Sequence, residues 1–269
     1  MVVAGGELAP ERLLPALRTR RLGRSYLFLP VCASTSDEVA ARASAGAGEG
    51  LLIAADQQAK GRGRRGRVWH SPPGENLYFS LLLRPALPAC LVAPLTLLVG
   101  ATLAQTLAAL GFSPRLKWPN DVLLDGPLGL RKVAGTLTET ASEGDRIRHV
   151  VLGVGVNINP REFPAELAPL ATSLRLHRGT EVDRGQVLAD FLNRFEPSYD
   201  DFLAAGPAAG LIAWRRFAVL GQSCWVESGS RRIDGVAEAL GEDGALLMRS
   251  SDGSLISVHA GEVNWTKAR

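Results

Sequence analysis

Hydrophobic positions follow two periods along this chain. Short apolar runs at residues 26–31 and 51–55 read as strands, and over residues 76–83 Leu77, Phe79, Leu81 and Leu83 alternate with Tyr78, Ser80 and Leu82. Helical spacing marks residues 7–20 and 35–44. The second of these is opened by Ser34-Thr35-Ser36-Asp37-Glu38, where Thr35 and Glu38 stand at the spacing of a capping box. Those hydroxyls either cap the helix or, with its first backbone amides, hold a polar ligand group. Residues 85–114 carry no charge and have the length of a membrane span. Pro85, Pro88 and Pro94 interrupt them, however, and Thr96, Thr102, Gln105 and Thr106 stud the remainder, so the reading is a buried helix over 94–110 and no membrane.

Residues 115–124 form two short extended pieces hinged at Pro119, which biases Trp118 to extended geometry, with Asn120 and Asp121 able to close the turn. Residues 132–139 read as a strand paired with 148–157. The latter is apolar almost to Asn157, as a central strand is, and Gly153 and Gly155 serve either close approach of a neighbour or ligand, or plain packing. Asp183, with Gln186 three residues on, opens a helix to about residue 204 whose Val187, Phe191, Phe195 and Phe202 point inward. After Gly206-Pro207 the pattern changes to short alternating strands separated by glycine-, serine- and aspartate-rich turns, as in a small β-barrel. The expected organisation is an extension with a short helix (1–24), a main domain (25–218) and a barrel (219–269), with fold class α+β.

At 269 residues and 46% hydrophobic the chain can bury a large core. Its net charge of +3 is too small for a general nucleic-acid coat, so positive charge matters by its clustering. Cys32, Cys90 and Cys224 are odd in number and far apart, which argues against a disulfide framework and for a reducing, cytoplasmic home. His70, His149, His177 and His259 show no metal-ligand spacing, so no structural or catalytic zinc is expected. There is no G-x-S-x-G elbow, and the first ten residues lack the pattern of a secretory signal.

The charge clusters in one place. Gly61 to Arg67 holds four arginines and three glycines, follows the apolar run 51–55, and leads to Trp69. Glycines let the backbone approach a ligand, and arginines present planar forks suited to carboxylate and phosphate. The stretch matches G-x-G-x-x-G in form, but Val68-Trp69-His70-Ser71-Pro72-Pro73 follows where a dinucleotide site needs a helix. A P-loop is excluded because Arg67-Val68 stands where Lys and Ser/Thr are required. An anion-binding loop, a nucleic-acid tract and a solvated surface loop remain from these residues alone. Lysine is scarce, at positions 60, 117, 132 and 267, so each internal one carries weight.

In order, Ser34-Thr35-Ser36, Gln58-Ala59-Lys60-Gly61-Arg62-Gly63-Arg64-Arg65-Gly66-Arg67-Val68-Trp69, Lys117-Trp118-Pro119-Asn120-Asp121-Val122, Lys132-Val133-Ala134-Gly135 and Gly153-Val154-Gly155-Val156-Asn157 resemble the biotin protein ligases, also called biotin–[acetyl-CoA carboxylase] ligases. The likeness is close over residues 26–159 and looser beyond. It implies a class II synthetase-like mixed sheet backed by helices, followed by an SH3-like barrel. It also implies a two-step reaction in which biotin and ATP give biotinyl-5′-AMP, and the biotinyl group passes to a lysine of a biotin carboxyl carrier protein domain of a biotin-dependent carboxylase. Mg²⁺ accompanies ATP, with ligands that the sequence does not identify.

The same resemblance implies biotin contacts from Ser34, Thr35, Ser36, Gln58, Gly61, Arg62, Gly63, Arg64, Lys132 and Gly135. It implies ATP contacts from Trp69, Asn120, Lys132 and Asn157, and catalytic roles for Lys132, Arg62 and Arg64. Trp118 reads as core, and Arg65 and Arg67 as solvation of the loop. With mutually repelling arginines, the loop is expected to be mobile alone and to order over the adenylate. Ala59-Lys60 departs from the family's usual Thr or Gln then Ala, and Ser36 stands where Asn is usual. With nothing large enough for a DNA-binding domain ahead of residue 26, a monofunctional ligase that binds no DNA is expected; a homodimer stays open. The rival readings are a lipoate or octanoate ligase or transferase, and a nucleic-acid-binding module.

Overall fold

The computed structural model describes residues 6–127, 129–143, 146–229 and 231–266. After a 3-10 turn at Gly6–Leu8 come α1 (Pro10–Ala16), β1 (Tyr26–Cys32), α2 (Thr35–Ser44), β2 (Leu52–Gln58) and β3 (Leu77–Leu83). The buried helix α3 (Val92–Ala109) leads to a hairpin of β4 (Pro114–Lys117) and β5 (Asp121–Leu124), then to the long pair β6 (Arg131–Glu143) and β7 (Arg146–Val156). Helices α4 (Leu174–Arg178), α5 (Arg184–Ala205) and α6 (Ala208–Arg215) follow. The chain ends in β8 (Ser223–Ser228), β9 (Arg231–Leu240), β10 (Leu246–Arg249), β11 (Leu255–Val258) and β12 (Glu262–Trp265).

Strands β1 to β7 form one mixed sheet in the order β1-β2-β3-β7-β6-β5-β4, with β1 and β2 parallel and the other pairs antiparallel. One face packs on α3 and α5. There Phe79 meets Phe191 at 5.4 Å between ring centres, and Phe195 and Tyr199 continue the row. This is the inward stripe expected from the sequence, and Asp183 caps α5 by accepting from the Gln186 amide at 2.9 Å. α3 satisfies length and hydropathy for a membrane span, yet 67% of it is buried inside the fold.

The opposite face is covered only at one end, where Val39 and Ala43 of α2 pack on Ile53, Leu82 and Val151. Because side chains alternate along a strand, Ser80 of β3 and Gly153 and Gly155 of β7 share the face of Leu82 and Val151, just beyond the start of α2. Every residue of β3 is buried, so this central strand is covered on both sides; the alternation read from its sequence separates two interiors, not core from water.

The predicted first helix is shorter than its periodicity suggests. The backbone turns extended at Leu17, and the amides of Arg20, Arg21 and Leu22 are taken by the buried Glu196 carboxylate at 2.6, 3.0 and 2.7 Å. Amides committed to a carboxylate on α5 cannot continue a helix.

The C-terminal strands form a five-stranded antiparallel sheet in the order β11-β10-β9-β8-β12. It is tied to the main sheet at the β4–β5 hairpin, where Leu116 exchanges backbone hydrogen bonds with Phe217 and Val219, and the buried Trp118 donates its indole N–H to the Gly244 carbonyl at 3.1 Å. Trp118 is core, as read from the sequence.

Burial pushes the Glu196 carboxyl up, but the Arg20, Leu22 and Arg21 amides outweigh it and hold it below its ordinary 4.5. A folded value below the unfolded one means that the stabilisation is complete above the ordinary range and fades as pH falls through the folded value. Glu196→Ala is expected to destabilise the fold by about 2–4 kcal/mol at pH 7. The gap from wild type should narrow below about pH 4, as read from urea midpoints.

Candidate active site

The site begins with missing side chains in the middle of a sheet. Gly135 of β6 and Gly155 of β7 are paired across the ladder, and Tyr78 of β3 pairs with the same Gly155. On this bare patch lies the indole of Trp69. A Cβ at Gly155 would stand 2.6 Å from the indole Cε2, and one at Gly135 would stand 3.1 Å from its Cζ3 and 3.0 Å from Lys132 Cε. The glycines therefore serve close approach, and the neighbour they admit is this tryptophan.

Lys132 enters from the start of β6. Its backbone is fixed on both sides, N–H to the Leu170 carbonyl and C=O to the Thr172 amide, at 2.8 and 2.9 Å. Its ammonium sits 2.7 Å from the Asp121 carboxylate and 5.1 Å from the centre of the Trp69 ring. A lysine so held loses its freedom to wander. Asp121 also faces the second lysine of this corner, Lys117, which burial holds below its ordinary value although Asp121 opposes that.

The floor is polar. Ser34 and Ser36 are buried beside Thr35 at the start of α2, and neither Ser34 nor Thr35 caps it: no side-chain cap bond forms. The capping-box reading is thereby corrected. Thr35 instead gives its amide and its hydroxyl to Gln58 Oε1, at 2.9 and 3.2 Å, and its hydroxyl lies 2.8 Å from Ser80 Oγ. Ser36 Oγ is 3.0 Å from the same Ser80 oxygen.

The arginine loop forms the roof. Arg62 and Val68 bridge across it, Gly63 N–H donates to the Arg67 carbonyl at 2.7 Å, and the turn places Arg65 in the left-handed region at φ 58°. That backbone is unfavourable for arginine by about 1–2 kcal/mol, and side-chain anchors hold it. Arg65 pairs with Glu227 at 3.4 Å and Arg67 forms a two-pronged pair with Glu262, both on the C-terminal sheet. Arg65 and Arg67 thus do more than solvate the loop: they fasten it across the two sheets. Burial pushes the Glu262 carboxyl up, but its hydrogen bond to Arg67 and the charges of Arg67, Lys117 and Lys132 together hold it below its ordinary value.

The two arginines over the cavity differ. Arg62 lies 2.8 Å from both Asp37 and Glu139, so two carboxylates already answer its charge. Arg64 contacts only neutral acceptors, Asn120 Oδ1 at 3.1 Å and the Gly261 carbonyl at 3.2 Å. Burial lowers the Arg64 guanidinium from its ordinary value, against Asp121 and Glu262, which raise it. It stays charged, with capacity to spare.

A cavity of about 50 Å³ lies between floor, roof and Lys132. Of the residues singled out by sequence, Ser34, Thr35, Ser36, Gln58, Arg62, Gly63, Arg64, Trp69, Asn120, Lys132 and Gly135 line it. Gly61 and Asn157 do not. Gly61 packs behind the wall, where a Cβ would meet Ser71 Oγ and the Trp69 carbonyl at 2.5 Å. Asn157 is buried and gives its amide to the Thr172 carbonyl at 3.1 Å. Thr136, Leu137, Gly153, Val154 and Gly155 complete the lining, none of them among the expected biotin or ATP contacts. Asp121 could have been flagged as the carboxylate of K-W-P-N-D, and Ser80 as the one serine in a strand of apolar and aromatic residues.

Residues 29–157 match the biotin/lipoate A/B protein ligase family, and residues 219–264 match the biotin protein ligase C-terminal domain. The biotin–[acetyl-CoA-carboxylase] ligase of Paracoccus denitrificans is 34% identical over 86% of this chain and 96% of its own, and that of Mycobacterium tuberculosis is 32% identical over 94% and 97%. The bifunctional ligase/repressor BirA of Bacillus subtilis is 35% identical over 92% of this chain and 76% of its own length. The biotin protein ligase of Aquifex aeolicus, solved in complex with biotin and ATP, matches 91% of this chain and 100% of its own with a TM-score of 0.78 at 29% identity. The matching fold, the matching C-terminal domain and these identities over nearly whole chains mean that this chain belongs to the biotin protein ligase family.

Proposed function

We propose that the chain is an ATP-dependent biotin protein ligase acting on a lysine of a biotin carboxyl carrier domain. The observation that carries this reading is the convergence of Lys132 and Arg64 on one side of a small cavity whose other side is a hydroxyl and amide floor. A ligand with an anionic end and a polar, uncharged head fits that division. The named relatives and the biotin- and ATP-bound neighbour support it.

In the first step a carboxylate oxygen of biotin attacks the α-phosphorus of ATP. The P–O bond to the β-phosphate breaks, and pyrophosphate leaves with its electron pair. Two anions must meet, so fixed positive charge lowers the barrier. In this reading Lys132, its ammonium held between Asp121 and Trp69, contacts both the carboxylate and the α-phosphate, and Arg64, which forms no ion pair among the described residues, adds a second cation. Arg62, balanced by Asp37 and Glu139, closes the roof. In the second step the carrier amine attacks the acyl carbon, the bond to AMP breaks, and an amide forms as the amine loses its proton.

Trp69 serves as the adenine platform in this reading. Asn120 turns its Oδ1 to Arg64 and its amide to the Thr136 carbonyl, beside the phosphates. Asn157 acts on the nucleotide side through position, bracing the end of β7. Mg²⁺ would travel with ATP and neutralise its phosphates. Among the described residues no group of three His, Cys, Asp or Glu could hold a metal ion by itself; in this reading Asn120 lies near the ATP phosphates and the Mg²⁺ that they carry. Residues 25–218 would be the catalytic unit and 219–269 a closed SH3-like barrel bracing the roof. Free, buried Cys32 and Cys224 suit a reducing, cytoplasmic setting.

Incubating the chain with biotin, ATP-Mg²⁺ and a purified biotin carboxyl carrier domain should add one biotinyl group to one lysine, read by mass spectrometry; no mass gain would overturn the assignment. Lys132→Ala should slow adenylation by roughly 10²–10³-fold, about 3–4 kcal/mol, while biotin affinity changes by only a few-fold. Arg64→Ala should cost adenylation more than Arg62→Ala in single-turnover assays, because only Arg64 lacks a carboxylate partner; the reverse order would refute the division of charge.

A further inference from the structure

The hydroxyls of the cavity floor form a chain whose hydrogen positions follow from its ends. Gln58 Oε1 accepts the Thr35 amide at 2.9 Å, and since an amide N–H needs an acceptor, this fixes which way the Gln58 side chain is turned. The Thr35 hydroxyl, 3.2 Å from that acceptor, gives its hydrogen there. With the Thr35 hydrogen assigned to Gln58, the 2.8 Å contact between Thr35 and Ser80 uses the Ser80 hydrogen, and the 3.0 Å contact between Ser36 and Ser80 uses the Ser36 hydrogen. On the other side, Gln58 Nε2 donates to Ser71 Oγ at 3.2 Å, and Ser71 passes its own hydrogen to the Trp69 carbonyl at 2.9 Å. Gly153 makes the arrangement fit: it pairs with Ser80 across β3 and β7, and a Cβ there would stand 2.7 Å from Ser36 Oγ.

The order Ser36 to Ser80 to Thr35 to Gln58 has a consequence for recognition. All three hydroxyl hydrogens are committed inside the wall, so Thr35 and Ser36 offer the cavity lone pairs only, while Gln58 retains one free amide hydrogen. The Ser34 hydroxyl makes no hydrogen bond among the described residues and can play either part. Such a floor accepts from N–H donors and donates to a carbonyl, the complement of a cyclic urea. We infer that Ser80 is a positioning residue for specificity: wholly buried, it takes the Ser36 hydrogen and orients the Thr35 hydroxyl, and so sets the floor to read ligand N–H groups. Without it, the Ser36 hydroxyl can turn its hydrogen into the cavity and face a urea N–H donor to donor. This rests on the proposed function, because it assumes a urea head group on this floor.

The test is isothermal titration of the full chain with biotin and with its carbamate analogue, in which a ring oxygen replaces one urea N–H. Wild type should favour biotin, as a site built to bond an N–H rejects a ligand lacking it. Ser80→Ala should bind biotin about 10-fold more weakly and show a ratio between the two ligands about 10-fold smaller, with an unfolding midpoint within a few degrees of wild type. An unchanged ratio in Ser80→Ala, whether or not both affinities fall, would overturn the inference and leave Ser80 as packing. Ser80→Cys, a weaker donor of similar size, carries the same comparison should the alanine variant fail to fold, and should also reduce the ratio. Wild type that binds neither ligand would instead overturn the proposed function.

Discussion

The site rests on one steric fact: two strands at the centre of the sheet have no side chains where they meet. Gly135 and Gly155 leave a flat patch on which Trp69 lies, and Lys132 lies against Trp69. The lysine is then near enough to Asp121 to pair with it, and the loop ending at Trp69 is held over the cavity. A methyl group at Gly155 would enter the indole, with both backbone and ring held by neighbours that cannot easily yield. Displacing Trp69 would move the roof, the cation and the wall together.

Charge is arranged on the same plan. Four arginines in seven residues would repel one another in isolation, but Arg62, Arg65 and Arg67 each meet a carboxylate supplied from outside the loop. Exposed pairs of this kind contribute little singly, about 0–1 kcal/mol, and their sum matters less than their placement. They consume three cations and leave the fourth, Arg64, with neutral partners beside Lys132. Two of the three anchors lie on the C-terminal sheet, so that sheet shapes the active-site roof as well as closing the chain. Trp118 and Gly244 hold the two sheets together nearby.

Much of this was legible in the sequence because it depends on local pattern. Leu77 to Leu83 reads as a strand and residues 94–110 as a buried helix from hydropathy alone, and the glycine-arginine run stands out by composition, with an anion-binding loop as one of its readings. The family motifs then gathered Lys132, Arg64, Thr35 and Gln58 correctly into one cavity. What failed did so for tertiary reasons. The first helix stops because Glu196, far along the chain, takes its amides. Thr35 does not cap α2 because Gln58 and Ser80 offer better partners than the helix end. The neutralisation of Arg62 by Asp37 and Glu139, and the anchoring of Arg65 and Arg67, join residues that no spacing rule relates. Asn157 and Gly61 sit in motifs beside the site, yet their side of the backbone faces its supports.

The central claim is that Lys132 and Arg64 activate a carboxylate whose urea head sits on the Thr35–Gln58 floor. The most direct measurement is exchange of labelled pyrophosphate into ATP, with no carrier protein present, in the presence of biotin or of lipoate. The account predicts exchange that depends on biotin and is absent with lipoate. Exchange stimulated by lipoate alone, or with neither acid, would contradict it.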